Sequence, residues 1–126
     1  MDMRDLINNG DERLRIVQEL VPGKEITLAH VIASPDPVMY RKLGLNPELD
    51  YSGSAIGILT VTPAETAIIA ADLSTKSANV DLSFVDRFSG TLITTGLVSD
   101  VESGLKAVTQ YCEEKLGFKV CKISKT

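Results

Sequence analysis

Asp86-Arg87-Phe88-Ser89-Gly90 divides the central stretch of the chain into two halves of the same design. Before it, residues 54–62 (Ser-Ala-Ile-Gly-Ile-Leu-Thr-Val-Thr) read as a strand, 63–78 as a helix and 79–85 as a strand. After it, residues 91–98 read as a strand, 100–116 as a helix and 118–123 as a strand. Two such halves joined by a short hairpin give the βαββαβ order of the ferredoxin-like, split-βαβ unit, an α+β fold. One right-handed crossover in each half places both helices on one face of a four-stranded antiparallel sheet.

Punctuation residues support these boundaries. Thr62-Pro63-Ala64-Glu65 has the form of a capping box, with Pro at the first helical position and Glu three residues after the cap. Ser99-Asp100-Val101-Glu102 repeats the pattern at the second helix, and Gly117 is placed to end it. Along that helix Val101, Leu105, Val108, Cys112 and Leu116 recur at helical spacing, whereas Glu102, Lys106, Glu113 and Lys115 fall elsewhere. The first helix is Ala-rich and apolar over most of its turns, which predicts burial on more than one side. Ser89-Gly90 is ordinary hairpin chemistry, with Gly free to take positive φ.

Upstream of this unit, residues 1–13 are polar and carry Asn8-Asn9-Gly10-Asp11, the composition of a mobile tail. Residues 14–21 then alternate, with Leu14, Ile16 and Leu20 in one phase, and Pro22-Gly23 stops the pattern. A half-apolar strand here has no partner within the βαββαβ unit, and an unpaired edge invites pairing with another chain. Residues 24–33 form a second early strand, with Ile26, Leu28, His30 and Ile32 in phase, able to extend the sheet edge. Asp36-Pro37 opens a short helix that Gly44 ends, and residues 45–53 link it to the central unit.

The 126 residues suffice for one domain, 14–126, which buries roughly two-thirds of the surface its unfolded chain exposes. Thirteen basic against 17 acidic residues leave a net charge of −4 with no basic cluster, which weighs against a nucleic-acid partner. No stretch approaches the roughly 20 apolar residues of a membrane span, and the charged opening Met1-Asp2-Met3-Arg4-Asp5 is unlike a secretory signal. Two cysteines make no disulfide framework, so a reducing cytoplasm is the expected location.

Catalytic chemistry is hard to assemble from this inventory. His30, the one histidine, lies in phase with the apolar side of its strand and reads as a hydrogen-bonded structural residue. Cys112 shares its helix face with Leu105 and Leu116, as a small core residue would. Cys121 has no CxxC partner, and one His with two separated thiols falls short of a metal site. Asp81 and Asp86 flank a strand without pairing, and no glycine-rich stretch has phosphate-loop spacing. No cofactor and no reaction are expected.

Four strings, 16–23 (Ile-Val-Gln-Glu-Leu-Val-Pro-Gly), 26–33 (Ile-Thr-Leu-Ala-His-Val-Ile-Ala), 55–63 (Ala-Ile-Gly-Ile-Leu-Thr-Val-Thr-Pro) and 84–90 (Phe-Val-Asp-Arg-Phe-Ser-Gly), carry a resemblance. Taken in order, they resemble the circularly permuted shell proteins of bacterial microcompartments, the EutS and PduU type, over about residues 14–126. In unpermuted shell proteins the strand similar to 28–32 closes the domain, whereas here it precedes the central unit.

The resemblance implies a structural, non-enzymatic role in the cytoplasm: a homohexamer in a protein shell around metabolic enzymes, with other shell proteins and the encapsulated enzymes as partners. It places Phe88, Ser89 and Gly90 at the six-fold axis. It also implies that Ile16, Val17, Gln18, Glu19, Leu20 and Val21 contribute one strand of a six-stranded barrel that plugs this axis. Lys76 and Asn79 match residues at the edges where hexamers tile. One departure weighs against flat tiling: Ala33-Ser34-Pro35 follows Ile32 where unpermuted members usually carry an edge Arg. The turn at 88–90 lacks a cysteine, so no iron–sulfur cluster is expected there. A small-molecule-sensing module of the ACT or PII kind is the alternative, because βαββαβ sheets host those too.

Overall fold

The computed structural model describes residues 23–45 and 53–126. The expected strand at 14–21 and the expected tail at 1–13 lie outside the described residues.

In chain order the elements are β1 (Glu25–Ile32), α1 (Val38–Lys42), β2 (Ala55–Thr62), α2 (Thr66–Ser77), β3 (Asp81–Asp86), β4 (Thr91–Gly96), α3 (Val98–Leu116) and β5 (Ser124–Lys125). They form one five-stranded sheet in the order β3-β4-β2-β1-β5. The first four strands of that order are antiparallel to their neighbours, and β5 runs parallel to β1. The α+β class and the split-βαβ arrangement follow from this order, with both long helices packed on one sheet face.

Strand allocation departs from the sequence reading in one respect. In a βαββαβ unit the strand after the second helix pairs with the first, yet here β1 takes that place, from Glu25↔Thr62 to Ile32↔Ile56. Residues 118–123 are displaced to the outside of β1. There they touch the sheet through the Glu25↔Lys119 bridge before β5 pairs at His30↔Ser124 and Val31↔Lys125. The early strand therefore belongs to the interior of the sheet rather than to its edge. Ile26, Ala29 and Val31 are buried, a better match to a central strand than 118–123 offers, where only Phe118 is buried.

Helix starts also differ. Thr62 remains the last residue of β2, paired with Glu25, and so does not cap. Residues 63–65 instead make a tight turn with i→i−3 bonds, Thr66 N–H to the Pro63 carbonyl at 3.0 Å and Ala67 N–H to that of Ala64 at 3.0 Å. α3 starts at Val98 because β4 ends at Gly96, which leaves Leu97 alone as the extended cap. Its other end behaves as read. Gly117 is left-handed (φ 71°), and Phe118 N–H turns back to the Cys112 carbonyl at 2.9 Å, which closes the helix end. Asp36 Oδ1 accepts from Val38 N–H at 3.0 Å and opens α1, and Gly44 (φ 70°) follows it.

The core lies between the sheet and the two helices. Leu59 and Leu92 from the central strands meet Val101, Leu105, Val108 and Cys112 from α3 and Ala67, Ala70 and Ala71 from α2. Small side chains let the helices come close: Gly104 of α3 faces Ser74 of α2 and Ala78 just past its end. Only one side of α2 is buried within the chain. Ile68 and Ile69 are 51% and 44% exposed, against the expectation of burial on several sides.

Gly57 marks where α3 presses on β2. A Cβ there would sit 2.6 Å from Val101 Cγ1 and 2.7 Å from Thr94 Oγ1. Both neighbours are fully enclosed, so neither can yield cheaply. Gly57→Ala is expected to destabilise the fold by about 1–3 kcal/mol, measured as a lowered urea midpoint with an unchanged slope.

Candidate functional site

The turn between β3 and β4 is built by its own residues. Asp86 Oδ1 accepts from Phe88 N–H at 2.9 Å, and the Asp86 carbonyl accepts from Gly90 N–H at 2.9 Å. Ser89 Oγ donates to Thr91 Oγ1 at 3.0 Å. The Phe88 N–H bond holds the Asp86 carboxyl below its ordinary value of 3.8. Gly90 (φ 75°) is obligatory, since a Cβ there would collide with the Val61 carbonyl oxygen and crowd Ala64 Cα at 3.1 Å. Val61 N–H in turn donates to the Gly90 carbonyl at 2.9 Å. The turn is thus fastened to the end of β2 where α2 begins.

Phe88 projects from this fixed turn. It is 81% exposed, and the Arg87 guanidinium lies over its ring, 5.0 Å from the centroid. The N-terminal segment leaves the sheet at the same end, because Glu25 pairs with Thr62, next to Val61.

Lys76 and Asn79 lie at the opposite end. α2 begins beside the turn and runs 12 residues, about 18 Å at 1.5 Å per residue. Lys76 is exposed on its last turn and pairs with Asp72 at 2.8 Å, which raises the Lys76 pKa. Asn79 is also exposed, and its carbonyl approaches Gly96 where β4 ends. The structure therefore groups the turn with the start of β1 and sets Lys76 and Asn79 apart from both. Residues 16–21 themselves lie outside the described residues.

His30 is hydrogen-bonded as read, although to unforeseen partners and not on the core side of β1. An irregularity between Ile26 and Leu28 shifts the phase, so that Ala29 and Val31 are buried and Leu28 is exposed. The Nδ1 of His30 lies 2.6 Å from Ser124 Oγ and its Nε2 2.9 Å from Thr126 Oγ1. His30 fastens the C-terminal segment to β1, and the Lys125–Glu102 ion pair at 2.9 Å ties the same segment to α3. Cys112 is buried, and burial pushes its thiol up to about 11, so it is not a nucleophile at neutral pH. Cys121 is half-buried beside a shallow, open groove between α3 and the C-terminal segment. Among the described residues no group of three or more His, Cys, Asp or Glu side chains could hold a metal ion. No helix among them is long and apolar enough to cross a membrane.

Comparison with known proteins identifies the family. The family model described as the BMC domain matches residues 55–123. The chain belongs to the BMC-domain family. The match begins at β2 and leaves out β1, as a linear description must when the fourth antiparallel strand comes first in the chain. Over 112 residues the chain is 50% identical to the bacterial microcompartment shell protein PduU of Salmonella typhimurium, covering 89% of this chain and 93% of that protein. Among solved structures it is similar to a CutR flat hexamer (TM-score 0.76, 45% identity, 84% of this chain and 94% of that one). It is also similar to a CutR screw with a 41.9 Å pitch (TM-score 0.73, 45% identity, 83% and 100%).

The depressed Asp86 value sets a pH dependence. Between the folded value and 3.8 the unfolded chain binds more protons, so this carboxylate's contribution is complete above 3.8 and is lost as pH falls through the folded value. Asp86→Ala is expected to lower the urea midpoint at pH 7, with the difference from the parent chain shrinking below about pH 4. A difference independent of pH would assign the effect to packing instead.

Proposed function

We propose that this BMC-domain chain is a non-enzymatic subunit of a hexameric microcompartment shell, located with that shell in the cytoplasm. Phe88, Ser89 and Gly90 face the six-fold axis, and residues 16–21 of six subunits form a β-barrel that plugs it. Lys76 and Asn79 lie at the perimeter, where neighbouring shell proteins meet it, and enzymes are enclosed behind it.

The observation that carries this reading is the polarity of the subunit. The turn and the departure point of the N-terminal segment share one end of the sheet, and Lys76 and Asn79 occupy the other. A subunit set radially in a ring needs such polarity. The N-terminal strand has no place beside β1, which β2 and β5 already pair on both sides, and strands from other copies would serve as its partners.

Surface chemistry supports a ring as well. A ring requires two different, complementary patches on each subunit. One candidate is the outer face of α2, with Ile68 and Ile69 exposed. The other is the sheet face turned away from the helices, where the register aligns His30, Ile58, Ile93 and Phe84 across four strands. Phe84 is 47% exposed there, on the edge strand β3.

Light scattering of the full chain is expected to give a mass near six times 13.6 kDa. Val17→Pro with Glu19→Pro removes two ladder donors and should weaken assembly without unfolding the subunit. A dimer or trimer of the unmodified chain would instead favour the sensing module, and stabilisation by small molecules would then be the next measurement.

A further inference from the structure

Phe88 is the most exposed large apolar side chain among the described residues, yet its backbone N–H is held by Asp86 Oδ1 at 2.9 Å. Both flanks of the turn are tied down: Asp86 holds the Phe88 N–H, and the Gly90 carbonyl is bonded to Val61. A surface aromatic on a loose loop can fold back onto its own chain. This one is held outward, with Arg87 over its ring rather than an apolar neighbour. Fixing an apolar side chain in water is unfavourable unless another surface covers it, and prior ordering lowers the entropy lost when that happens.

We propose that Phe88 is itself a seal: six copies of the ring converge on the axis and form an apolar collar that excludes hydrated ions and polar metabolites. This rests on the hexamer reading above and is distinct from the barrel of residues 16–21, because it assigns closure to the shell layer itself. The covering surface of each Phe88 is the Phe88 of neighbouring copies. The turn suits this task. Glycine at 90 lets the hairpin lie against the entrance of α2 without displacing it, so all six tips stand at the same height. A ring of aromatic side chains at a constriction blocks ions by dewetting, and the Arg87 guanidinium over each ring surrounds that constriction with positive charge. Removing the barrel alone therefore leaves the axis shut.

The test uses four full-length chains: unmodified, Val17→Pro/Glu19→Pro, Phe88→Ala, and all three changes together. Each is first sized by light scattering, then applied to planar lipid bilayers in potassium chloride. Discrete conductance steps are expected only when all three changes are combined. Steps from the proline pair alone, with Phe88 intact, would overturn the collar. Silence of the triple variant as a hexamer would overturn it too, since the axis would then be closed by other groups. Steps from Phe88→Ala alone would support the collar and remove the barrel as a second plug. A mass other than six subunits for the unmodified chain would overturn the hexamer reading, and with it the collar, before any conductance is read.

A second measurement does not depend on bilayers. Phe88→Cys on a Cys121→Ser background should join neighbouring subunits on mild oxidation, since Cys112 is buried and cannot compete. The same chain with Phe88 restored should not. Monomer alone from an oxidised, hexameric Phe88→Cys chain would place the rings apart and overturn the collar.

Discussion

The hydrogen bond from Val61 N–H to the Gly90 carbonyl is the constraint on which the layout of the subunit depends. It holds the β3–β4 hairpin against the last residues of β2, at the point where the chain turns into α2. Because Gly90 has no side chain, the two backbones approach more closely than any other residue would permit. Everything with a direction follows from that junction. β4 and α2 both run away from it, and β1 begins beside it, so the subunit acquires one end rich in backbone contacts and one end of exposed polar side chains.

Burial within the chain is uneven in a way that suits assembly. The core between sheet and helices is closed by small residues, notably Gly57 under Val101 and Gly104 against Ser74. Outside it, Ile68, Ile69, Leu82 and Phe84 stay exposed on surfaces that a freestanding domain would ordinarily make polar. Ser74 Oγ is buried without a hydrogen-bond partner at the helix contact, which fits a contact selected for closeness rather than for polar satisfaction.

Much of this was legible in the sequence, and the failures have physical causes. The βαββαβ order, the Gly117 stop, the Asp36 start and the core role of Cys112 all rest on local rules, and local rules held there. The first capping box misled because Thr62 was already committed to the β2 ladder, a long-range demand that local pattern does not reveal. The last strand misled for a related reason. Residues 118–123 and 25–32 both read as strands, and only tertiary competition decides which one pairs with β2. The resemblance to permuted shell proteins pointed to the answer, since it set the His30 strand in the place of a closing strand. Partners of His30 were out of reach, because Ser124 and Thr126 are distant in sequence and carry no pattern of their own.

The two apolar patches have a geometric corollary. A sheet face meeting the helix face of the next copy is a contact between unlike surfaces, and such a contact does not count its members. Only the angle between the two faces, set within one subunit by how α2 lies on the sheet, fixes whether successive copies return to the start or climb past it. Close helix packing at Gly104 and Gly57 holds that angle stiff. In the proposed ring, the smallest residues in the core would thereby act on the curvature of an object many times larger than the chain.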